Sequence, residues 1–464
     1  MKKIITLFII LSVTLNTFSQ GYFYKNSVID YDASTLLFST ENIKGTARFT
    51  SMSGAFGALG GDLSAVEVNS AGLAVFNNSE ATITLGNNSI DTNSNFFNTV
   101  TNSSDDNFNV SQAGSVLVFE YDSDIWNKFA LGINFTVLND FSNNYITNGV
   151  SSITNFNEDP FLNFDSNDTN DIFFENVVSQ KFITNTSGSN DKITFSIAGQ
   201  YNAKTYFGFS INSYSLDYGQ QVISLESSND GNSNTLQTTL DQRLFVYGNG
   251  ISFGFGVISK PIQNLRVGLA YQTPTWHNLT EEFSDDLKIY SNTNDNDSNY
   301  FESHDSFFEY QIRTPSRLTG SLAYIFNKAG LISLDYTLKD YSNSKLKSNS
   351  DFSDENNNLE NLKNTSELRI GGEYRYKHVS FRAGYHTEEN PMKSITNNTD
   401  GYSFGLGFKF SNTTKLDFSY DHTTSQNVYN FYNFEAPEVP VNLNISSDIN
   451  TINDRITATL TIGL

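Results

Sequence analysis

Ile456-Thr-Ala-Thr-Leu-Thr-Ile-Gly-Leu464, the last nine residues, carries an apolar side chain at every second position up to the chain terminus. Period-two alternation marks a strand whose two faces meet different surroundings. A chain that ends inside such a strand is typical of barrels inserted in a bacterial outer membrane. The expected fold is therefore all-β, a transmembrane antiparallel β-barrel. Working back from the terminus, the same alternation recurs in about fourteen segments, from 80–88 through 243–259, 307–326 and 401–411 to 454–464. In 401–411, Tyr402, Phe404, Leu406, Phe408 and Phe410 share one face and Ser403, Gly405, Gly407 and Lys409 the other. The first set is assigned to lipid.

The connections alternate between short turns, such as Asn202-Ala203 and Tyr376-Lys377, and long segments, such as 139–190 and 426–453. Short turns are periplasmic and long loops extracellular in such barrels, so both chain ends are expected on the periplasmic side. Parity sends Arg369, Glu373, Arg375, Arg382 and His386 into the lumen, with Arg266, Arg317, Asp335, Lys339, Asp417 and Asp421. Mixed signs on one enclosed face predict a paired charge network, because unpaired buried charge is costly.

The beginning of the chain agrees with its end. Met1-Lys2-Lys3 precedes an apolar run to Leu15 and the small residues Thr17 and Ser19, the pattern of a cleaved leader over 1–19. The run is too short to span as a helix, and no later segment reaches 18 consecutive apolar residues. Without cysteine there is neither a lipidated N-terminus nor a thiolate metal site. Loss of Lys2 and Lys3 takes the formal charge from −22 to −24, which argues against nucleic acid as a partner. Mean hydropathy of −0.36 is no obstacle, since barrel strands show lipid only alternate residues, and 24 Tyr and 39 Phe suit aromatic girdles.

Between the leader and the first strand, residues 20–79 lack sustained alternation, and the barrel is assigned to 80–464. The intervening segment includes an apolar, small-residue stretch, Gly45 to Phe76, that suits a compact plug in the lumen. Gly248, Gly250, Gly254 and Gly256 leave one face of strand 243–259 nearly bare, which suits close approach of such a plug. Gly60-Gly61-Asp62, followed by Asn69-Ser70-Ala71-Gly72, stands just ahead of the first strand. With the strand count and loop alternation, this run resembles the hatch of the outer-membrane long-chain fatty-acid and aromatic-hydrocarbon transporter family. Lys260 to Pro274 also looks like a hairpin of that family. The family's hatch usually reads Asn-Pro-Ala-Gly, and Ser70 holds the proline position here.

The resemblance implies passive transport of hydrophobic small molecules, long-chain fatty acids first, by loop capture, hatch movement and lateral exit, with no cofactor. Lipopolysaccharide blocks direct entry of such solutes from outside, and a polar lumen is a poor route all the way down. Candidate capture segments contain Phe161 and Phe164, Phe173 and Phe174, and Tyr429, Phe431, Tyr432 and Phe434. If the solute is a fatty acid, its carboxylate calls for a cation, and Arg317, Arg369 and Arg382 are candidates by parity. A monomer embedded in outer-membrane lipid is expected.

Alternatives are a general diffusion porin, or a channel for haemin or aromatic hydrocarbons. A porin leaves its lumen open, whereas about sixty residues here are available to block it. An enzyme is not expected. Gly-x-Ser-x-Gly occurs at Gly250–Gly254 and Gly401–Gly405, but both lie within strand alternation, where no nucleophile elbow forms. His277, His304, His378, His386 and His422 show no metal spacing. The Asp295, Asp297, Asn299 run fails as a calcium loop, with Tyr300 where Gly is needed and Ser306 in place of the bidentate Glu.

Overall fold

The computed structural model describes residues 28–121, 125–156, 172–293, 299–302, 306–434 and 443–464, with backbone alone at 299–302, 432–434 and 443–444. The expected leader, Phe161 and Phe164 lie outside the described residues, as do the side chains of Tyr432 and Phe434.

Fourteen antiparallel strands form a closed barrel. In chain order they are β1 (Glu80–Phe96), β2 (Thr99–Glu120), β3 (Trp126–Asp140), β4 (Asn176–Tyr201), β5 (Thr205–Asn229), β6 (Thr235–Ile262) and β7 (Leu265–Gln272), continuing with β8 (Arg317–Phe326), β9 (Gly330–Asp340), β10 (Asn364–Tyr376), β11 (Val379–Glu388), β12 (Thr399–Lys409), β13 (Thr414–Phe434) and β14 (Leu443–Gly463). β14 returns to β1 over a ladder from Glu80↔Gly463 to Asn95↔Asp448, which closes the ring and removes the sheet edges.

The lipid face follows the alternation. Tyr402, Phe404 and Leu406 are exposed, as are Ile456, Leu460 and Ile462, while Arg369, Glu373, Arg382, His386, Asp335, Lys339, Asp417 and Asp421 are buried in the lumen. Aromatic rings bound the belt. At the short-turn end, Trp126 stacks on Phe129 and meets Tyr201 edge-on. Toward the other end, the hydroxyls of Tyr385 and Tyr420 donate to Asp400 and Asp454 at 3.0 and 2.6 Å. Such residues suit an interface, with an apolar ring below and a polar tip above.

One expected strand is two. The run 307–326 divides into Ser306–Arg313 and β8, with Pro315 between them. Proline has no N–H for a ladder, and the chain turns there. Pro274 plays the same part after β7. Between these prolines the chain leaves the wall: Trp276–Ser291 pairs with Leu236–Ile251 of β6, and Ser306–Arg313 pairs back upon it. The expected loop 276–306 is therefore largely a sheet extension beyond the lipid belt. At its base, Thr314 N–H donates to Thr275 O and Thr275 N–H to Thr314 Oγ1, both at 3.0 Å.

The two ends of the described chain lie at opposite ends of the barrel. Leu464 N–H donates to Ser79 O among the short turns, at 2.9 Å. The first helix, α1 (Tyr31–Ser39), lies at the long-loop end. There Tyr31 donates to Glu281 at 3.1 Å, and Asn358 of a loop helix, Ser353–Glu360, donates to Asp32 at 2.8 Å. The expected place of the N-terminus itself falls on residues outside the described ones; the described chain begins at the long-loop end. A plug that enters at the loop end and feeds β1 at the turn end must thread the whole lumen.

Candidate functional site

The plug is built from short, capped turns. A second helix, α2 (Ala47–Thr50), is capped by Thr46, and two 3₁₀ turns follow, Leu63–Glu67 and Ser70–Val75. Asp62 caps the first turn, accepting from Ser64 N–H at 3.0 Å and from Thr46 Oγ1 at 2.7 Å. Burial pushes its carboxyl above the ordinary range, although Arg48 and these donors oppose the shift. Asn69 caps the second turn through Ala71 N–H at 3.0 Å, while its amide donates to Gly57 O at 2.7 Å and to Val257 O of β6 at 3.2 Å.

The two halves of the Gly60 to Gly72 run meet directly. Gly61 N–H donates to Gly72 O at 3.1 Å, and Gly60 lies in the left-handed region with φ +58°. A side chain on Gly60 would strike the Gly72 backbone. These residues are the folding grammar of a plug without a large core. Its apolar heart is Phe49, Met52, Phe56, Ala58 and Leu59, with the Phe49 and Phe56 rings 5.4 Å apart.

The wall receives this plug at bare positions. Cβ atoms added at Gly208, Gly268, Gly371 and Gly384 would overlap the plug backbone at Ala71, Gly57 and Met52. The expectation for β6 holds at Gly256, where a side chain would overlap Asn69. It fails at Gly248 and Gly250, which are covered by Asn278 and His277 of the sheet extension.

Charge pins the plug at several heights. Arg48 Nε bonds Glu373 at 2.9 Å, Lys192 bonds Glu67 at 2.8 Å, and Gly57 N–H donates to Asp335 at 2.9 Å. Arg455 donates to Ile43 O and Arg266 to Leu59 O. The three arginines proposed for a carboxylate are inward but already occupied. Arg317 bonds Glu41, Gln272 and Glu67 O; Arg369 bonds Glu367 at 2.5 Å; Arg382 bonds Glu373 and Asp417, both at 2.7 Å. Arg317 and Arg369 share a small lumen cavity with Glu41, Lys44, Phe49, Glu67 and Leu138, and Arg382 is not part of that lining. Burial pushes the Glu41 carboxyl up, and Arg317, Lys192 and Lys339 outweigh it, leaving the group below its ordinary value.

Beside this cavity the wall is broken. β2 pairs with β3 only from Gln112↔Thr136 to Glu120↔Lys128, whereas β1 keeps β2 up to Phe96↔Thr99. Ser111 is an extra residue between the pairs Val110↔Leu85 and Gln112↔Thr84. On β3 the register with β4 slips between Val137 and Asn139. Val137, Leu138, Asn139 and Phe141 are all buried, so the alternation stops and Leu138 reaches the cavity. An added residue leaves part of a ladder unpaired and bends the strand. Above the break, side chains replace the ladder. Asn107 and Asn109 donate to Asp140 at 2.5 and 2.7 Å, and Ser103 Oγ accepts from Ile146 N–H at 3.0 Å.

The proposed capture aromatics divide. Phe173 is exposed, but Phe174 is wholly buried against Phe156, Leu236 and Leu240. Phe431 is buried too, stacked on Phe182 at 3.9 Å and edge-on to Phe96, and Tyr429 accepts from Gln220 at 2.8 Å. The buried rings close the upper barrel, since apolar side chains among Asn- and Ser-rich strands cluster with one another.

A model of the family described as outer membrane protein transport protein (OMPP1/FadL/TodX) matches residues 31–447. The chain belongs to this family. It is an outer-membrane β-barrel family of transporters for hydrophobic compounds. Among solved structures, a Pseudomonas aeruginosa FadL homologue is similar with TM-score 0.57 and 14% identity, over 91% of this chain and 100% of that one. The Ralstonia pickettii toluene transporter TbuX gives 0.54 and 15%, over 91% and 99%. The P. putida toluene transporter TodX gives 0.51 and 13%, over the same shares. At such identities the likeness concerns the fold alone. No curated protein sequence matches the chain.

Within this family frame, Ser70 is a test of the hatch. It opens the turn Ser70–Val75 after Asn69 at φ −147° and ψ 107°, an extended conformation that a following proline favours. Its hydroxyl is buried and makes no hydrogen bond among the described residues. Ser70→Pro should therefore raise stability by about 0.4–1 kcal/mol through a stiffer unfolded chain. Denaturant unfolding of the barrel in detergent checks this, and a loss of stability would show that the ring does not fit.

Sequence reading missed Lys44, Glu41, Leu138 and Asn139. Leu138 and Asn139 sit where alternation lapses, a local signal that 128–138 ends early. Nothing local marks Glu41 or Lys44, whose setting comes from residues far along the chain.

Proposed function

We propose that this chain passively carries hydrophobic small molecules, long-chain fatty acids above all, by loop capture, hatch movement and sideways release between β2 and β3. The observation that carries this reading is the break in the β2–β3 ladder beside the lumen cavity. Below the cavity the lumen is filled by the hatch and its ion pairs, an unfavourable path for an apolar solute. At the break the lipid is one wall away, and Phe108, Val110 and Ile133 offer it an apolar outer surface. Release there requires hatch and wall to move together. Asn139 at the bend accepts from Asn42 at 2.8 Å and donates to Thr40 O at 2.6 Å, tying one to the other.

The primary test is equilibrium binding of a labelled long-chain fatty acid to the folded barrel, with haemin and toluene as competitors. Saturable binding displaced only by other fatty acids supports the reading. Absence of saturable binding overturns it. A second test concerns the exit. The chain has no cysteine, so Asn109→Cys with Asp140→Cys can be bridged by a short thiol-reactive linker. Bridging should reduce fatty-acid uptake by cells at least fivefold while binding to the purified protein persists; undiminished uptake would refute exit at this place.

Aromatic hydrocarbons are a second reading, favoured by the edge-to-face cluster of Phe38, Phe141 and Tyr218 above the cavity. Toluene binding that fatty acids do not displace would select it.

A further inference from the structure

The hatch holds a cation that the network leaves over. Lys44 is 8% exposed, lines the lumen cavity, and makes no hydrogen bond or ion pair with any described residue. The other charged groups of that lining are matched: Glu41 by Arg317, Glu67 by Lys192 and Arg369 by Glu367. Arg455 nearby is matched by Asp421 at 3.1 Å. Asp140 is occupied by the amides of Asn107 and Asn109 and by Ser142 N–H at 3.1 Å. Asp140 and Asp191 act on the ammonium only from beyond ion-pair distance, so Lys44 keeps its charge in a nearly dry site without a directly bonded partner among the described residues, a costly arrangement.

We infer that Lys44 is the receptor for the anionic head of an amphiphilic carboxylate, held in the cavity beside the β2–β3 break. This rests on the transport reading above and names the side chain that would hold the carboxylate. The carboxylate would supply the missing partner of the ammonium through a charge-assisted bond. Its tail has an apolar neighbourhood to enter: Leu138, Phe49, Ile43 and Val68 line the same cavity, and Phe141 leads from the bend of β3 to Phe38 and Tyr218. Burial, with Arg455 adding to it, brings the Lys44 ammonium down to about 7, while Asp140 and Asp191 resist. A bound carboxylate restores the charged form.

The test compares palmitate with hexadecanol, a neutral molecule of the same chain length, by equilibrium binding to the detergent-folded full chain. Wild type is set beside Lys44→Met and Lys44→Arg, with denaturant unfolding confirming that each is folded. The expected result is at least a tenfold loss of palmitate affinity in Lys44→Met, little change for hexadecanol, and palmitate binding restored in Lys44→Arg. Equal palmitate affinity in wild type and Lys44→Met would overturn the lysine site and leave the transport reading standing. So would an equal loss for both ligands. If wild type binds neither ligand saturably, both readings fall. Removing a buried unpaired charge should also leave Lys44→Met at least as stable as wild type.

Discussion

Glu373→Ala should unlock the hatch and turn a closed barrel into a leaking one. Glu373 is the hub of three arginines: Arg48 of the hatch at 2.9 Å, Arg382 of β11 at 2.7 Å, and Arg375 of its own strand. Without the carboxylate, three guanidinium groups face one another with only Asp417 beside Arg382 and the more distant Asp62, 3.9 Å from Arg48. Removing one side of a buried pair costs about 3–5 kcal/mol. The cost falls on the hatch contact, because the wall ladders on either side of Glu373 are intact. Single-channel recording in planar bilayers should show a rise in ion conductance, and denaturant unfolding a lower midpoint. Glu373→Gln, which keeps an acceptor of the same shape, should fall between the two. A closed channel of unchanged stability in Glu373→Ala would show that the hatch is held elsewhere.

Gly60→Val should have an effect of similar size by another route. Its backbone occupies the left-handed region, and a Cβ there would lie 2.7 Å from the Gly72 backbone. Strain in the backbone costs about 1–3 kcal/mol and overpacking about as much again. Gly61→Ala is the natural control. Gly61 is also left-handed, with φ +65°, but its nearest neighbour would be a Val75 methyl at ordinary contact, 3.6 Å away. Only the conformational cost of about 1–2 kcal/mol should appear there. Limited proteolysis should cut the hatch of Gly60→Val while the barrel survives, and should cut Gly61→Ala much more slowly. Equal resistance of Gly60→Val and wild type would mean that the two halves of the motif separate without consequence.

The wall was largely legible because each strand residue faces either lipid or lumen, and that choice is written in alternation. Tyr402, Phe404 and Leu406 on one side and Arg369, Glu373 and Arg382 on the other needed no knowledge of partners. Pro315 was a readable breaker inside a run that otherwise alternates. The upper strands were harder. Thr99–Val110 and Leu443–Asn453 are rich in Asn, Ser and Asp, so their ladders read as loop although they pair fully on at least one side. The site was least legible, because its members are local in neither sequence nor pattern. The inward arginines follow from parity, but their occupation by Glu41, Glu367, Glu373 and Asp417 depends on which strands adjoin and how the hatch is threaded. Lys44 stands out only once the bonded partners of the other charged groups in the cavity lining are known.

The route of the hatch also orders the birth of the molecule. Ala47 N–H donates to Thr459 Oγ1 at 2.6 Å, and Arg455 holds Ile43 O, so a segment ahead of the first strand in sequence is fastened to the last one. Those bonds cannot form until β14 is in place, the same strand that β1 needs to complete the ring. Part of the seal and the closure of the wall thus depend on the same strand: these hatch bonds on the β14 side and the β1 ladder both need it, while the contacts to Lys192, Asp335 and Glu373 do not.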